Sequence, residues 1–258
     1  NLGDAESVIA ATEPFTREVV ARTSRLRVIA RCGVGYDAID VAAADERGIA
    51  VTTTPGTNEH SVAEHALAML LALSRGFPAR DMQVRQGRPW TKVALPRLAG
   101  RTLGIVGLGR IGKALATRVA GLGLRVLAYE PFPDHEFVAK HGVELVSFEE
   151  LLRRSDLVSL HLPLSAETQG LINRKTLALM KATAILVNTA RGGLVVEDDL
   201  YSALVERRLA AAGLDVFVEE PAPADHPLLR LDNVLVSPHV AGLDEQSNYD
   251  SQIMVARV

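Results

Sequence analysis

The sequence predicts an α/β protein built on an open, doubly wound parallel sheet, with a second and smaller α/β domain in the same chain. Three observations predict it. From Arg101 onward, short apolar runs alternate with amphipathic segments. These runs are hydrophobic throughout, as in strands covered by helices on both faces. A glycine-rich turn directly follows the first of them, where a strand hands over to a helix in such sheets. At 258 residues the chain is too long for one small domain.

The elements follow in chain order. Within residues 1–57, β-branched runs at 27–30 and 49–52 flank a helical stretch, and this segment is expected to be part of the smaller domain. Ser61-Val62-Ala63-Glu64 has the capping-box pattern and predicts an apolar helix over 61–74. Strands are expected at 102–106, 125–129, 143–145, 157–161, 184–188, 211–216 and 234–236. Ser147 and Glu150 repeat the capping-box signal ahead of Leu151 and Leu152. The larger domain is thus expected over 58–242. The last stretch, 243–258, reads as a helix returning to the smaller domain.

Composition narrows the function classes. With 28 Lys plus Arg against 31 Asp plus Glu, the net charge of −3 gives no reason to expect nucleic acid or an anionic membrane as partner. Aromatic residues make up 4% of the chain, which leaves few flat faces for stacking bases. Cys32 is the single cysteine, so an internal disulfide and a multi-cysteine metal site are ruled out, and no metal is expected. The strongest apolar run, 66–73, is far short of the ~20 residues that span a bilayer. No signal-peptide pattern opens the sequence, and a reducing, cytoplasmic setting is the expectation.

The sharpest local motif is Gly107-Leu108-Gly109-Arg110-Ile111-Gly112. Gly107 permits the tight turn, Gly109 lets backbone approach a pyrophosphate, and Gly112 lets the helix pack on the strand with its N-terminus aimed at the phosphates. The next strand runs into Glu130, 18 residues past Gly112. A carboxylate there can accept from both ribose hydroxyls of an adenosine and repels a 2′-phosphate. No arginine follows within Pro131-Phe132-Pro133-Asp134. The domain is therefore expected to be of Rossmann type and to bind NAD in preference to NADP.

Ligands bind beyond the carboxyl ends of strands in such a sheet. Three of these ends carry charged side chains: Arg191 in Thr189-Ala190-Arg191-Gly192-Gly193, Asp215 with Glu219 and Glu220, and His239 in Ser237-Pro238-His239-Val240-Ala241-Gly242. The set suits hydride transfer to a 2-oxo acid. A guanidinium clamps a carboxylate through two parallel hydrogen bonds. An imidazole exchanges a proton with the carbonyl oxygen, and a neighbouring carboxylate holds its tautomer.

Taken together, these pieces resemble the D-isomer-specific 2-hydroxyacid dehydrogenases. The resemblance runs in order through Gly33-Val34-Gly35-Tyr36-Asp37, Ser61 to Glu64, Gly107 to Gly112, His161-Leu162-Pro163-Leu164, Asn188 to Gly193, Asp215 to Pro221, and Ser237-Pro238-His239. It implies that Arg191 binds the substrate carboxylate, that His239 is the acid/base and that Glu220 pairs with it. Arg110 and Ile111 would cradle the pyrophosphate with the three glycines, and Glu130 would hold the ribose. His161, Leu162, Pro163 and Thr168 would line the adenine side. Thr189, Ala190, Asp215 and the Ala241-Gly242 turn would position the nicotinamide. Val34 and Gly35 would offer backbone N–H groups to the substrate, and Arg31 beside them could meet a substrate phosphate. A flavodoxin-like substrate domain, part of which lies outside the sequence, and a homodimer built partly on the helix from Ser61 are implied too.

The expected substrate is of the 3-phosphoglycerate class, with glyoxylate or hydroxypyruvate as the alternative. A non-catalytic NAD-sensing scaffold of the corepressor type is the alternative from another class. Formate oxidation fits poorly, because that branch pairs its histidine with glutamine where this chain has Glu220. Val195-Val196-Glu197 departs from the more usual Val-Asp-Glu, expected as a surface change. His60 and His65 are five apart and miss the i, i+4 face that a zinc-binding helix needs. Cys32 reads as a small buried filler. Trp90 fits either a subunit interface or a loop cap.

Overall fold

The computed structural model describes residues 2–90 and 92–257. They form two compact units, one from Asn1–Ser61 with Gly242–Val258, the other from Val62–Ala241.

The smaller unit begins with β1 (Ser7–Ala10), α1 (Arg17–Ala21), β2 (Val28–Arg31), α2 (Val41–Asp45) and β3 (Ala50–Thr52). Its three strands pair in parallel in the order β1-β2-β3. Thr16 and Asp40 cap the two helices by accepting from the N–H of Val19 and Ala43. Phe15, Val20, Ile29, Ile39 and Ile49 make its buried core.

The larger unit is entered through α3 (Glu59–Ser74) and α4 (Phe77–Arg85). It continues as β4 (Thr102–Val106), α5 (Arg110–Val119), β5 (Arg125–Tyr129), α6 (His135–His141), β6 (Glu144–Leu145), α7 (Phe148–Arg154) and β7 (Leu157–Leu160). Then come α8 (Arg174–Leu177), β8 (Ile185–Asn188), α9 (Glu197–Val205), β9 (Ala211–Leu214) and β10 (Val234–Val236). The chain ends in the smaller unit with α10 (Glu245–Val255).

The seven strands β4 to β10 make one parallel sheet in the order β10-β9-β8-β7-β4-β5-β6. Counted from β4, this is 3-2-1-4-5-6-7, the doubly wound Rossmann arrangement, with its switch point between β4 and β7. Both faces are covered. Leu186 packs with Leu177, Leu200 and Leu204 on one face, while Ile185 and Val187 pack with Met69, Leu70 and Leu115 on the other. Successive residues of a strand thus feed opposite cores, which is why the strands read as unbroken apolar runs.

Several boundaries differ from expectation. β7 and β9 end one and two residues earlier than predicted, at Leu160 and Leu214, and β6 and β8 begin one residue later, at Glu144 and Ile185. The apolar helix begins at Glu59, two residues before Ser61. The expected capping box is not what starts it: the Glu64 carboxylate instead pairs with Arg118 at 2.8 Å. At Ser147 half of the box is present; the hydroxyl accepts from Glu150 N–H, while the Glu150 side chain pairs with Arg154. The last helix spans Glu245–Val255 with an Asp244–Ser247 capping box, and the predicted end at Val258 lies outside the described residues. Among the described residues no helix is long and apolar enough to cross a membrane, and no cluster of three His, Cys, Asp or Glu could hold a metal ion.

Candidate active site

The glycine loop leaves the end of β4 at the switch point. Gly107 has φ +97, and a Cβ there would lie 2.8 Å from the His161 backbone; a Cβ on Gly112 would lie 2.1 Å from the Gly107 carbonyl oxygen. Both positions are closed to any side chain. Around Gly109 nothing stands within 4 Å of a Cβ, so the middle of the loop is open. Gly109 also caps α5 without a side-chain hydrogen bond. The N–H groups of Arg110 and Ile111 at the start of α5 thus have no side-chain cap, an arrangement that can hold an anion. Glu130 stands beside it, accepting from Leu108 N–H at 2.8 Å and Phe132 N–H at 3.1 Å. An open glycine, an uncapped helix start and an adjacent carboxylate fit the pyrophosphate and ribose of a dinucleotide.

Across the switch point, His161 follows directly on the end of β7. Its Nε2 lies 2.9 Å from Ser159 Oγ, while Nδ1 is buried with no hydrogen-bond partner. Burial holds the imidazole neutral, pushing its pKa down to about 4. Leu162 packs on the core, and Thr168 Oγ1 closes the loop by donating to the Pro163 carbonyl at 2.7 Å. At the end of β8, Thr189 Oγ1 is likewise buried and unpartnered. Two orphaned polar atoms at the ends of neighbouring strands are what a ligand edge provides.

The neutral His161 makes stability depend on pH. Its folded pKa lies below the unfolded value of 6.5, so the unfolded chain binds an extra proton between pH 6.5 and 4. The contribution is complete above pH 6.5 and is lost as pH falls toward 4, by about 3 kcal/mol at most. Urea midpoints measured over that window should fall more steeply for the parent than for His161→Gln. Equal slopes would contradict the assignment.

Arg191 is set by the residues around it. The buried Asn188 amide donates to the Arg191 carbonyl at 2.8 Å and accepts from Ala190 N–H at 3.1 Å, which turns the chain outward past β8. Arg191 Nη1 donates to the Ala190 carbonyl at 2.6 Å. Gly192 lies against the backbone of Phe217 and Val218, which joins the Arg191 loop to the segment leading to Glu220.

Glu220 and His239 meet directly. His239 Nδ1 lies 2.5 Å from Glu220 Oε2, and Glu220 Oε1 accepts from Phe217 N–H at 3.0 Å. The carboxylate therefore accepts a hydrogen bond from Nδ1–H, and Nε2 is the nitrogen able to meet a substrate. His239 itself has φ 53, a left-handed conformation rare outside glycine. Asp215, 1% exposed, holds the loop in that form. Its carboxylate accepts from Val240 N–H at 3.0 Å, Ala241 N–H at 2.8 Å and Ser237 Oγ at 2.5 Å, and its carbonyl accepts from His239 N–H at 2.8 Å. A second histidine–carboxylate pair, His226 Nε2 with Glu197 Oε2 at 3.2 Å, braces the other side, where Glu197 Oε1 accepts from Val218 N–H at 2.9 Å.

In the smaller unit, Val34 and Gly35 lie in the loop after β2. Arg31 Nε donates to the Gly35 carbonyl at 3.0 Å and Nη1 to the Cys32 carbonyl, so the guanidinium braces this loop. Cys32 is half-buried, not a core filler, with Sγ 3.4 Å from Ser251 Oγ. Gly242 lies against Asn58 and offers its carbonyl to Ser247 Oγ at 2.9 Å.

The strand ends signalled Arg191, Glu220 and His239; Asn188, Glu197, His226 and Ser237 had no such signal. Their roles are to hold loops, and they become visible only once distant segments are brought together.

A doubly wound sheet with a dinucleotide loop at its switch point and a histidine–carboxylate pair at its edge is the architecture of a nicotinamide-dependent oxidoreductase. Residues 67–241 match the family model described as "D-isomer specific 2-hydroxyacid dehydrogenase, NAD binding domain". A glyoxylate reductase of Korarchaeum cryptofilum is 46% identical over 251 residues, which is 95% of this chain and 75% of that protein. A D-3-phosphoglycerate dehydrogenase of Archaeoglobus fulgidus is 41% identical over 251 residues, 96% of this chain and 47% of that protein. The D-lactate dehydrogenase of Aquifex aeolicus, solved with NAD and lactic acid, has a TM-score of 0.92 at 32% identity, covering 99% of this chain and 82% of its own. The chain thus spans about half the length of its phosphoglycerate dehydrogenase relative. It belongs to the D-isomer-specific 2-hydroxyacid dehydrogenases, NAD-dependent oxidoreductases acting on the CH–OH group of 2-hydroxy acids, and residues 67–241 are its NAD-binding domain.

Proposed function

We propose that this protein interconverts a 2-oxo acid and a D-2-hydroxy acid, with a substrate of the 3-phosphoglycerate class. The observation that carries the reaction is the 2.5 Å contact between His239 Nδ1 and Glu220 Oε2. It leaves Nε2 to exchange a proton with the substrate. When bound, the nicotinamide cofactor supplies or accepts the hydride at the substrate carbon. Arg191 clamps the substrate carboxylate and draws electron density from the adjacent carbonyl. His239 gives its Nε2 proton to the carbonyl oxygen as that oxygen gains charge, and takes it back in the reverse direction. Glu220 stabilises the imidazolium and keeps the ring turned.

The glycines of the loop, with Arg110 and Ile111, hold the pyrophosphate, and Glu130 the ribose. His161, Leu162, Pro163 and Thr168 line the adenine side. Thr189 and Ala190 take the nicotinamide side. Asp215 acts there through the loop it shapes, Ala241 and Gly242 included, since both its oxygens already accept N–H groups of that loop. Val34 and Gly35 offer backbone N–H groups to the substrate. Arg31 we assign to holding its loop rather than to a substrate phosphate, because both Nε and Nη1 donate within that loop.

Glyoxylate reduction is the second reading, favoured by the 46% identity to the Korarchaeum cryptofilum enzyme over three quarters of its length. Rates of NADH oxidation with 3-phosphohydroxypyruvate, hydroxypyruvate, glyoxylate and pyruvate separate the two. Preference for the phosphorylated acid supports the first reading and preference for glyoxylate the second. No turnover of any of them contradicts both and favours a sensor scaffold.

Replacing Arg191 with Lys keeps the charge but removes the fork. KM for the 2-oxo acid should rise by roughly tenfold to a hundredfold, with NADH affinity unchanged. An unchanged KM would contradict the clamp.

We further propose a cytoplasmic homodimer. The support for dimerisation is the exposed apolar surface of α4 and the segment after it, where Phe77 is 60% and Trp90 73% exposed. Light scattering on the parent and on a Phe77→Glu, Trp90→Glu variant tests it: the parent should weigh two chains and the variant one.

A further inference from the structure

The reaction as proposed leaves a second histidine of the larger unit without a role. His65 sits on α3, and its spacing from His60 excludes a zinc-binding face. Its Nε2 lies 2.8 Å from Ser237 Oγ, and that hydroxyl lies 2.5 Å from Asp215 Oδ1. An ionised carboxylate only accepts hydrogen bonds, so the single Ser237 proton points at Asp215. Ser237 Oγ must then accept from His65, which places a proton on Nε2. The direction is fixed along the whole row: His65 Nε2–H to Ser237 Oγ–H to Asp215 Oδ1.

The row ends on the group that shapes the His239 loop. The Asp215 side chain is fully buried and balances its charge with donors from the loop: the N–H groups of Val240 and Ala241 and the hydroxyl of Ser237. His239, between Ser237 and Val240, holds φ 53 while its own N–H donates to the Asp215 carbonyl at 2.8 Å. A backbone in this region persists where its surroundings over-determine it. His65 is the one side chain of this row contributed from outside strand ends and loops. A hydrogen bond passed along a chain that ends on a buried carboxylate strengthens the next one.

We propose that His65 is a positioning residue for His239. Its Nε2–H, through Ser237 and Asp215, holds the 237–241 loop in the form that aims the acid/base imidazole. The proposal rests on the reading of His239 as acid/base. It is distinct from metal binding and from any contact of His65 with substrate.

The test compares the parent with His65→Leu, His65→Gln and Ser237→Ala. A glutamine amide N–H reaches the place of Nε2–H, whereas leucine fills the space and donates nothing. His65→Leu should lower kcat about tenfold or more, as small misplacements of a reacting group do, with KM for NADH unchanged. His65→Gln should recover most of that loss, and adding Ser237→Ala to His65→Leu should cost little more, since both break one row. Nitrogen-15 NMR of histidine-labelled protein gives a readout independent of turnover: a slowly exchanging His65 Nε2–H signal, absent in Ser237→Ala.

A His65→Leu variant with the parent's kcat would overturn the proposal, as would equal losses in the Leu and Gln variants. So would a His65 that shows no protected Nε2–H. A parent without turnover on any 2-oxo acid would overturn the reading of His239 on which the proposal stands, while the NMR signal would still decide the hydrogen-bonded row by itself.

Discussion

His239→Asn should lower kcat by about 10²–10⁴-fold, the usual contribution of a positioned general acid/base. Asparagine is the informative replacement because it tolerates the left-handed backbone that His239 adopts at φ 53. The loop is held mainly by Asp215 and not by the imidazole, so the variant should fold and bind NADH as the parent does. Steady-state rates and NADH fluorescence titration check the two halves of this expectation. A kcat within a few-fold of the parent would remove His239 from the chemistry. Loss of NADH binding would mean that its main role is to shape the site.

The second large effect is expected at Gly192. A Cβ there would lie 2.0 Å from Phe217 C, 2.2 Å from Phe217 O and 2.4 Å from Val218 N. These are backbone atoms that cannot rotate away, so one chain segment must move by roughly an ångström. Gly192 adjoins Arg191, and the Phe217 N–H holds Glu220. The displacement therefore separates the carboxylate clamp from the partner of the acid/base. Gly192→Ala should cost about 1–3 kcal/mol of stability or more and lower kcat/KM by on the order of a hundredfold. Both the urea midpoint and kcat/KM report it. Parent-like values of both would show that the two segments tolerate separation.

Much of this was legible in the sequence, for identifiable reasons. Short apolar runs set off by polar or helical stretches allowed β4, β5 and β10 to be bounded to the residue. Gly107 and Gly112 announce themselves because no other residue fits beside the His161 backbone and the Gly107 carbonyl. Arg191, Glu220 and His239 stood out as charged side chains following apolar strands, which a packed sheet does not need. What stayed hidden depends on contacts between segments far apart in sequence. Ser61 and Glu64 have a capping-box spacing, yet Glu64 reaches Arg118, 54 residues away, and the helix starts earlier. Asp215 reads as a ligand-facing acid until its oxygens are found on Val240 and Ala241. His65 and Ser237 are 172 residues apart, and no local pattern links them. The His226–Glu197 pair is of the same kind.

The most direct test of the central claim is to follow the label from NADH deuterated at the transferring position into the product. The purified protein is incubated with this cofactor and with whichever chiral-product 2-oxo acid it turns over. The 2-hydroxy acid formed is analysed by mass spectrometry and chiral chromatography. One deuterium bound to C2 of a product wholly in the D configuration is the predicted result. Product without deuterium at C2, or product in the L configuration, would contradict hydride transfer by a D-2-hydroxyacid dehydrogenase site.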